Sequence, residues 1–351
     1  MLKFWLPGLI FLFSLSLLAL AKGPALSPEK TQSAHASESS FLGDPDTLEL
    51  GAVQWRRSFD QALAAAEESG KPVFILFQEV PGCLNCQRFG KEVMSHPLIV
   101  DAIEEAFVPV VVFNNHRGPD REVLSRYGEP TWNNPVVRIV DAKGKDLVKR
   151  MPSFHPQEVV NGMVQALQEF DAEVPLYLEL LQRQFNAHFG QTETGVFPMY
   201  CFWSGELALG QLDGVVKTQP GFMNGREVVK VDFDPAHTSY GELVRVAKQK
   251  QAIEGAYVKG DAQANTAAIY FNHPALKATA SFRQDGEPKY YLYQTAYRHL
   301  PMLPLQQIEV NRALYQRRDA EVYLSPSQKE ALGQVAKGKS KLGEHLLLEL
   351  P

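Results

Sequence analysis

Val80-Pro81-Gly82-Cys83-Leu84-Asn85-Cys86 follows directly on the apolar run Val73-Phe74-Ile75-Leu76-Phe77. Ahead of that run, residues 58–69 carry an amphipathic helical pattern that Gly70 stops. Behind the cysteines a second helical stretch extends to about Ser95. Strand, Cys-x-x-Cys and helix in succession is the arrangement of a dithiol redox site. The spacing serves the chemistry. A thiolate at a helix N-terminus is favoured by the helix dipole and attacks, and a second sulfur one turn later closes the disulfide. Two alternatives stand beside this reading. One is a structural disulfide. The other is a metal site completed by a histidine such as His116 or His155, although no second cysteine pair and no His-x-x-x-His run supplies the remaining ligands. The chain has 3 cysteines. The third, Cys201, also stands where a strand gives way to a helix.

Outward from this segment, residues 51–172 read as one α/β domain. Helices at 58–69, 84–95, 97–106, 120–127 and 156–170 alternate with strands at 72–78, 108–113 and 135–141. Lys143-Gly144 predicts a hairpin turn into a return strand at 146–149. The order resembles the thioredoxin-like superfamily. That resemblance implies a cis proline facing the dithiol as part of the substrate-binding surface, and Pro135 in Asn134-Pro135-Val136-Val137 holds the place. Thioredoxin itself has Trp before the first cysteine and Gly-Pro between the two; here Gly82 and Leu84-Asn85 stand there, and Phe77 replaces the buried acid of the preceding strand. With Glu129-Pro130-Thr131-Trp132-Asn133-Asn134-Pro135 downstream, the Val-Pro-Gly-Cys-x-x-Cys motif is similar to a bacterial thioredoxin-like family, some members of which carry selenocysteine at the position of Cys83. The resemblance implies that Cys83 is the attacking sulfur.

Residues 173–192 read as a helical connector, with Pro175 just inside its start and Gly190 at its end. Residues 193–315 read as a second α/β domain. Val196–Tyr200 is a short strand, and Cys201-Phe202-Trp203-Ser204-Gly205-Glu206 opens a helix. Residues 215–218 are extended, 221–225 predict a turn, and 227–233 alternate as a strand that Asp234-Pro235 breaks. Ser239-Tyr240-Gly241-Glu242 is a capping box for a helix to about residue 250. Cys201-Phe202-Trp203, Glu206, Gly221-Phe222, Gly225, Glu227 and Phe233-Asp234-Pro235 resemble the catalytic domain of A-type peptide-methionine sulfoxide reductases. The resemblance implies a ferredoxin-like α/β fold, Cys201 as nucleophile, Glu227 as proton donor, and Phe202 and Trp203 holding the S-methyl group. The family's loop between the glycine turn and the catalytic Glu, with its oxygen-binding tyrosine, is absent, because Gly225 is followed almost at once by Glu227. Phe222 replaces the turn tyrosine, Tyr200 replaces the Gly before the cysteine, and Asp261 is a candidate for a later Asp. No cysteine follows Cys201. Residues 289–293 predict a further strand, and the C-terminal tail, 316–351, predicts a helix capped at Ser325-Pro326.

Sulfoxide reduction needs a thiolate to attack sulfur, an acid for the departing oxygen and an apolar seat for the methyl group. The three sulfurs then form a relay. Cys201 is oxidised by methionine sulfoxide, Cys83 attacks the resulting sulfenic acid, Cys86 closes the disulfide, and an external thiol reductant recycles the pair with no cofactor and no metal. The alternative is a thiol-disulfide oxidoreductase acting on oxidised proteins, with the second domain a non-catalytic partner-binding module. A redox sensor or scaffold without turnover is the third reading. For Cys201 itself the alternative is a small buried hydrophobe, with Phe202 and Trp203 as core aromatics. Net charge −5 gives no reason to expect nucleic-acid binding. Lys3, the apolar residues 4–20 and Ala19-Leu20-Ala21 read as a signal peptide, residues 1–21, with 22–50 a flexible linker. The expected location is extracytoplasmic, periplasmic or secreted, without a stable membrane span after cleavage. An uncleaved anchor is the alternative, since the apolar run approaches the span minimum of ~17 residues.

Overall fold

The computed structural model describes residues 41–42, 48–82, 84–132, 135–249, 255–271, 275–276, 281–338 and 348. The signal-peptide reading, Cys83 and the Asn134–Pro135 bond with its expected cis geometry lie outside the described residues. Two short strands, β1 (Phe41–Leu42) and β2 (Trp55–Arg56), precede helix α1 (Phe59–Ser69). The Ser58 hydroxyl accepts the Gln61 N–H at 3.3 Å to cap α1, and Gly70 ends it in the left-handed conformation at φ 67. There follow β3 (Val73–Gln78), α2 (Leu84–Glu92), α3 (Pro97–Ala106), β4 (Val108–Phe113), α4 (Pro119–Tyr127), β5 (Val136–Val140) and α5 (Pro156–Glu169).

These strands form one sheet in the order β1-β2-β4-β3-β5, with β3 parallel to β4 and antiparallel to β5. Every residue of β3 and β4 is buried. Helices cover both faces, and so these strands read as unbroken apolar runs instead of alternating. Phe74 and Leu76 face Phe89, Ile103 and Val160 on one side; Ile75 and Phe77 face Phe59, Ala62 and Leu124 on the other. The return strand expected at 146–149 is not regular. The segment pairs back on β5 only through bridges at Asp146 and Met151. The end of the expected linker folds with the domain: β1 pairs with β2, and Glu49 and Leu50 are buried.

Helix α6 (Leu176–Phe189) joins the two halves and is buried in both. Tyr177, Leu178, Leu181 and Phe185 belong to the first core, and Leu180 to the second. The second half continues with β6 (Glu193–Pro198), α7 (Phe202–Gly210), β7 (Val215–Met223), β8 (Arg226–Phe233), α8 (Tyr240–Gln249), β9 (Ala256–Tyr257), α9 (Gly260–Tyr270), β10 (Ala275–Leu276) and β11 (Arg283–Gln284). Its sheet order is β10-β9-β6-β8-β7-β11, and the central strands β9-β6-β8-β7 pair antiparallel throughout. With α7 and α8 as crossovers, this is the split β-α-β arrangement of the ferredoxin-like motif. The turn expected over 221–225 is narrower. β7 runs on to Met223, and Asn224 and Gly225 alone turn the chain, at φ 52 and 74. Both central residues at positive φ make the two-residue hairpin that Asn-Gly favours.

The strand expected at 289–293 is the short helix α10 (Tyr290–Tyr293). Lys289 ahead of it adopts the left-handed conformation at φ 62 and turns its side chain into the protein, so the segment cannot continue as an extended edge. Helices α11 (Pro304–Tyr315) and α12 (Pro326–Ala336) complete the described chain apart from Leu348 and short connections. The Gln328 side chain accepts the Ser325 N–H at 3.0 Å at the start of α12, and the Ser327 hydroxyl donates to Asp101 of α3 at 2.5 Å, which fastens the C-terminal helix to the first half. No helix among the described residues is long and apolar enough to cross a membrane.

Candidate functional site

The two sulfur sites are built alike: a strand end, a short turn, a helix start. In the first, Cys86 is the third residue of α2 and fully buried. Gln78, the last residue of β3, donates its amide N–H to the Cys86 carbonyl at 3.2 Å and to the Glu49 carbonyl at 2.8 Å. The Glu49 side chain reaches the loop before the dithiol. Its Oε1 accepts the Gly82 N–H at 2.8 Å and the Gln87 amide at 3.4 Å. α2 presses directly on the turn that carries Glu49. A Cβ added at Gly90 would lie 1.9 Å from the Leu48 carbonyl oxygen, so only glycine permits the approach. Pro135 is buried. The loop leading to it starts at Glu129, whose carboxylate accepts from Arg138 Nε at 2.8 Å and from Arg150 Nη2 at 2.7 Å. Burial works against that charge, but the hydrogen bonds from Arg150 and Arg138 outweigh it and hold the carboxyl below the usual range. Leu84, within the motif, and Trp132, three residues before Pro135, are 71% and 81% exposed.

In the second site, Cys201 is the N-cap residue of α7, partly exposed and free of any disulfide. The carboxylate of Glu227, on β8, accepts the N–H of Phe202 at 2.9 Å. The Glu227 carboxylate thus sits on the backbone N–H next to Cys201, at the first turn of α7. Cys201 also lines a cleft of about 500 Å³ with Tyr200, Ser204, Tyr291, Arg312 and Tyr315. Phe202 and Trp203 do not line it. Phe202 is buried in a stack with Trp203 (centroids 5.5 Å apart) and Phe222 (5.5 Å), and Trp203 packs on Tyr290 at 4.3 Å. Tyr290, Tyr291 and Tyr315 continue this aromatic run to the cleft. Burial raises the Tyr291 phenol above its ordinary pKa, with Tyr315, Tyr290 and Cys201 adding to the effect. It is an O–H donor at neutral pH.

A buried cluster ties α10 to the helix that begins at Cys201. The Lys289 ammonium pairs with Glu206 of α7 and donates to the Thr218 carbonyl at 2.8 Å and hydroxyl at 2.9 Å. The Thr218 hydroxyl donates to Glu206 at 2.9 Å. Lys289 thus sets Tyr290 against Trp203 and Tyr291 into the cleft. Asp261 lies exposed in the first turn of α9. His116 lies against Phe113 and, at 3.8 Å, Asp120; His155 lies against Phe189. Among the described residues no group of three or more His, Cys, Asp or Glu side chains could hold a metal ion. Sequence patterns did not reveal Glu49, Lys289, Tyr291 or Tyr315. Each is distant along the chain from the cysteine whose surroundings it joins, and the one local signal, a Tyr-rich run at 290–293, reads as strand.

The fold and these sites define an α/β protein with a thioredoxin-like domain, a further α/β region, and sulfur at the head of a helix in each. Residues 54–142 match the sequence model of a family described as thioredoxin-like. A peptide methionine sulfoxide reductase, MsrA, of Methanococcus maripaludis strain C7 is 36% identical over 72 residues, covering 16% of this chain and 46% of that protein. The mitochondrial peptide methionine sulfoxide reductase of Bos taurus is 38% identical over 72 residues, 16% of this chain and 31% of that protein. The chain therefore spans less than half the length of these curated relatives. Among solved structures, a DsbH oxidoreductase is similar at 22% identity and TM-score 0.29, covering 38% of this chain and 95% of that one. A thioredoxin from Thermus thermophilus is similar at 24% identity and TM-score 0.28, covering 32% and 85%.

Proposed function

We propose that this chain is an exported thiol-redox enzyme that reduces methionine sulfoxide at Cys201 and is restored by the Cys83–Cys86 dithiol. The observation that carries the reading is the Glu227 carboxylate on the backbone N–H next to Cys201 at the start of α7, beside a cleft into which Tyr291 projects. The Cys201 sulfur attacks the sulfoxide sulfur. Glu227 supplies the proton that the oxygen takes up, and the Tyr291 hydroxyl donates a hydrogen bond to that oxygen as its charge grows. Methionine leaves, and the oxygen stays on Cys201 as a sulfenic acid. Cys83 attacks this sulfur, releasing water and forming a Cys83–Cys201 disulfide. Cys86 attacks Cys83, freeing Cys201, and an external dithiol reduces the new Cys83–Cys86 bond. Tyr291, which reaches the cleft from α10, stands in for the tyrosine loop that the sequence lacks.

Turnover of methionine sulfoxide by the purified protein with dithiothreitol tests the assignment. Cys201→Ser is expected to abolish it, whereas unchanged turnover refutes the catalytic role. A second reading, disulfide reduction on protein substrates by the dithiol alone, draws support from the exposed Leu84 inside the Cys-x-x-Cys motif. Insulin reduction without sulfoxide turnover would favour that reading.

A further inference from the structure

We infer that Arg312 makes the Cys201 cleft selective for methionine sulfoxide that carries a nearby carboxylate, either its own main-chain carboxylate or the side chain of an adjacent acidic residue. The inference rests on the catalytic reading of Cys201 and adds to it a class of substrate. The cleft is a groove along one face of α7. Cys201, Ser204, Ala208 and Gln211 line it at helical spacing. That run covers about 15 Å at about 1.5 Å per residue. The facing wall comes from the end of α11, through Arg312, Tyr315 and Gln316. A methionine sulfoxide side chain presented to Cys201 occupies one end of such a groove. The rest of its length faces whatever the side chain is attached to, and the exposed Tyr200 and Tyr315 leave the mouth open to it.

Charge sets this groove apart from the rest of the chain. The sequence has 40 acidic against 35 basic residues. Yet among the described residues lining the groove there is no Asp or Glu, and Arg312 is the one cation. Its side chain is 31% exposed and forms an ion pair with Glu309, one turn back on α11. Glu309 is buried and does not line the groove. It holds the guanidinium from beneath, and the planar fork has more N–H donors than one carboxylate uses. A guanidinium fixed in this way gives up little side-chain freedom when it takes a second carboxylate. Arg312 also borders a small gap beside Leu207 and Gly210. Those residues follow Cys201 by roughly 9–14 Å along the helix axis. The arginine side chain spans part of that interval. The chain from the methionine sulfur to its own carboxylate, or to the side chain of the next residue, spans the rest.

The test measures kcat/KM of the purified full chain with dithiothreitol at low salt on two pairs of substrates. The first pair is N-acetylmethionine sulfoxide and its methyl ester. The second is the amidated dipeptide N-acetyl-methionine sulfoxide-glutamate and its glutamine counterpart. The parent protein is expected to favour the carboxylate in one pair or both by roughly tenfold, through a lower KM. The pair that shows the preference identifies the source of the carboxylate. Arg312→Gln is expected to bring the two members of that pair to equal kcat/KM, and Arg312→Lys to keep part of the difference. No preference in either pair, or a preference that survives Arg312→Gln, overturns the inference. Should Arg312→Gln unfold the protein by stranding Glu309, the double change Arg312→Gln with Glu309→Gln removes both charges and must give the same equality. A preference that survives the double change overturns the inference as well. A parent inactive on all four substrates refutes the catalytic reading and the inference together, whereas turnover without preference refutes the inference alone.

Discussion

The reaction proposed at Cys201 rests on a few atoms: a sulfur at the head of α7, a carboxylate on the neighbouring N–H, and a phenol across the cleft. Glu227 holds the helix start and, in the proposed reaction, also acts on the reacting oxygen; Tyr291 has no such structural duty. Tyr291→Phe is therefore expected to lower kcat for methionine sulfoxide roughly 10²-fold, the usual cost of one lost oxyanion donor, while Cys201 reacts with iodoacetamide at its original rate. Steady-state kinetics beside thiol alkylation checks both halves, and unchanged kcat removes Tyr291 from the mechanism. Cys201 and Glu227 were singled out by the resemblance to A-type peptide-methionine sulfoxide reductases, and the structure sets the Glu227 carboxylate on the N–H next to Cys201. Tyr291 was not singled out, since nothing local says that residue 291 returns to residue 201. Phe202 and Trp203 were legible as aromatics and expected to hold the S-methyl group; they stack on each other, and neither is among the residues lining the cleft at Cys201. Their rings stack into the body of the domain, and the cleft is walled by tyrosines from other segments.

Among the elements, α10 shows most plainly how tertiary contacts override local preference. Tyr-Tyr-Leu-Tyr favours a strand, yet the buried contacts of Lys289 with Glu206 and Thr218 fix the turn before it and set the residues as a helix. Removing one partner of a buried ion pair leaves the other charged and unsolvated. Lys289→Met is expected to destabilise the protein by about 3–5 kcal/mol, and the double change Lys289→Met with Glu206→Leu to recover much of that. Urea midpoints of the three proteins measure it. A single change within ~1 kcal/mol of the parent contradicts a role for the pair. The doubly covered strands β3 and β4 were readable as unbroken apolar runs, and β8 from its alternation. The Asn224–Gly225 hairpin was placed but drawn too wide, because Gly221 reads as a turn residue even though it pairs within β7.

For the molecule as a whole, the segment expected to link two domains is instead part of both cores. α6 packs on α3 and α5, Phe185 lies 5.8 Å from the His96 ring, and the Tyr177 hydroxyl donates to Glu105 at 2.6 Å. His96 is buried here and desolvation lowers its pKa to about 4. A histidine kept neutral in the fold and free to ionise when unfolded, near 6.5, favours folding most at higher pH. That contribution falls as pH drops from about 6.5 to about 4, by on the order of 3 kcal/mol in all. His96→Phe should flatten that part of the stability–pH curve in urea titrations; a curve of unchanged slope would show that His96 does not govern it. The dithiol pattern, the mixed fold and the lone thiol were visible from residues alone, but the shared helix was not, because its two apolar faces look like one amphipathic pattern. The relay between the sulfurs can be tested most directly with Cys86→Ser, which cannot close the final disulfide. After treatment with methionine sulfoxide, peptide mass spectrometry is predicted to find Cys83 joined to Cys201. Cys201 oxidised with no bond to Cys83 would contradict the account.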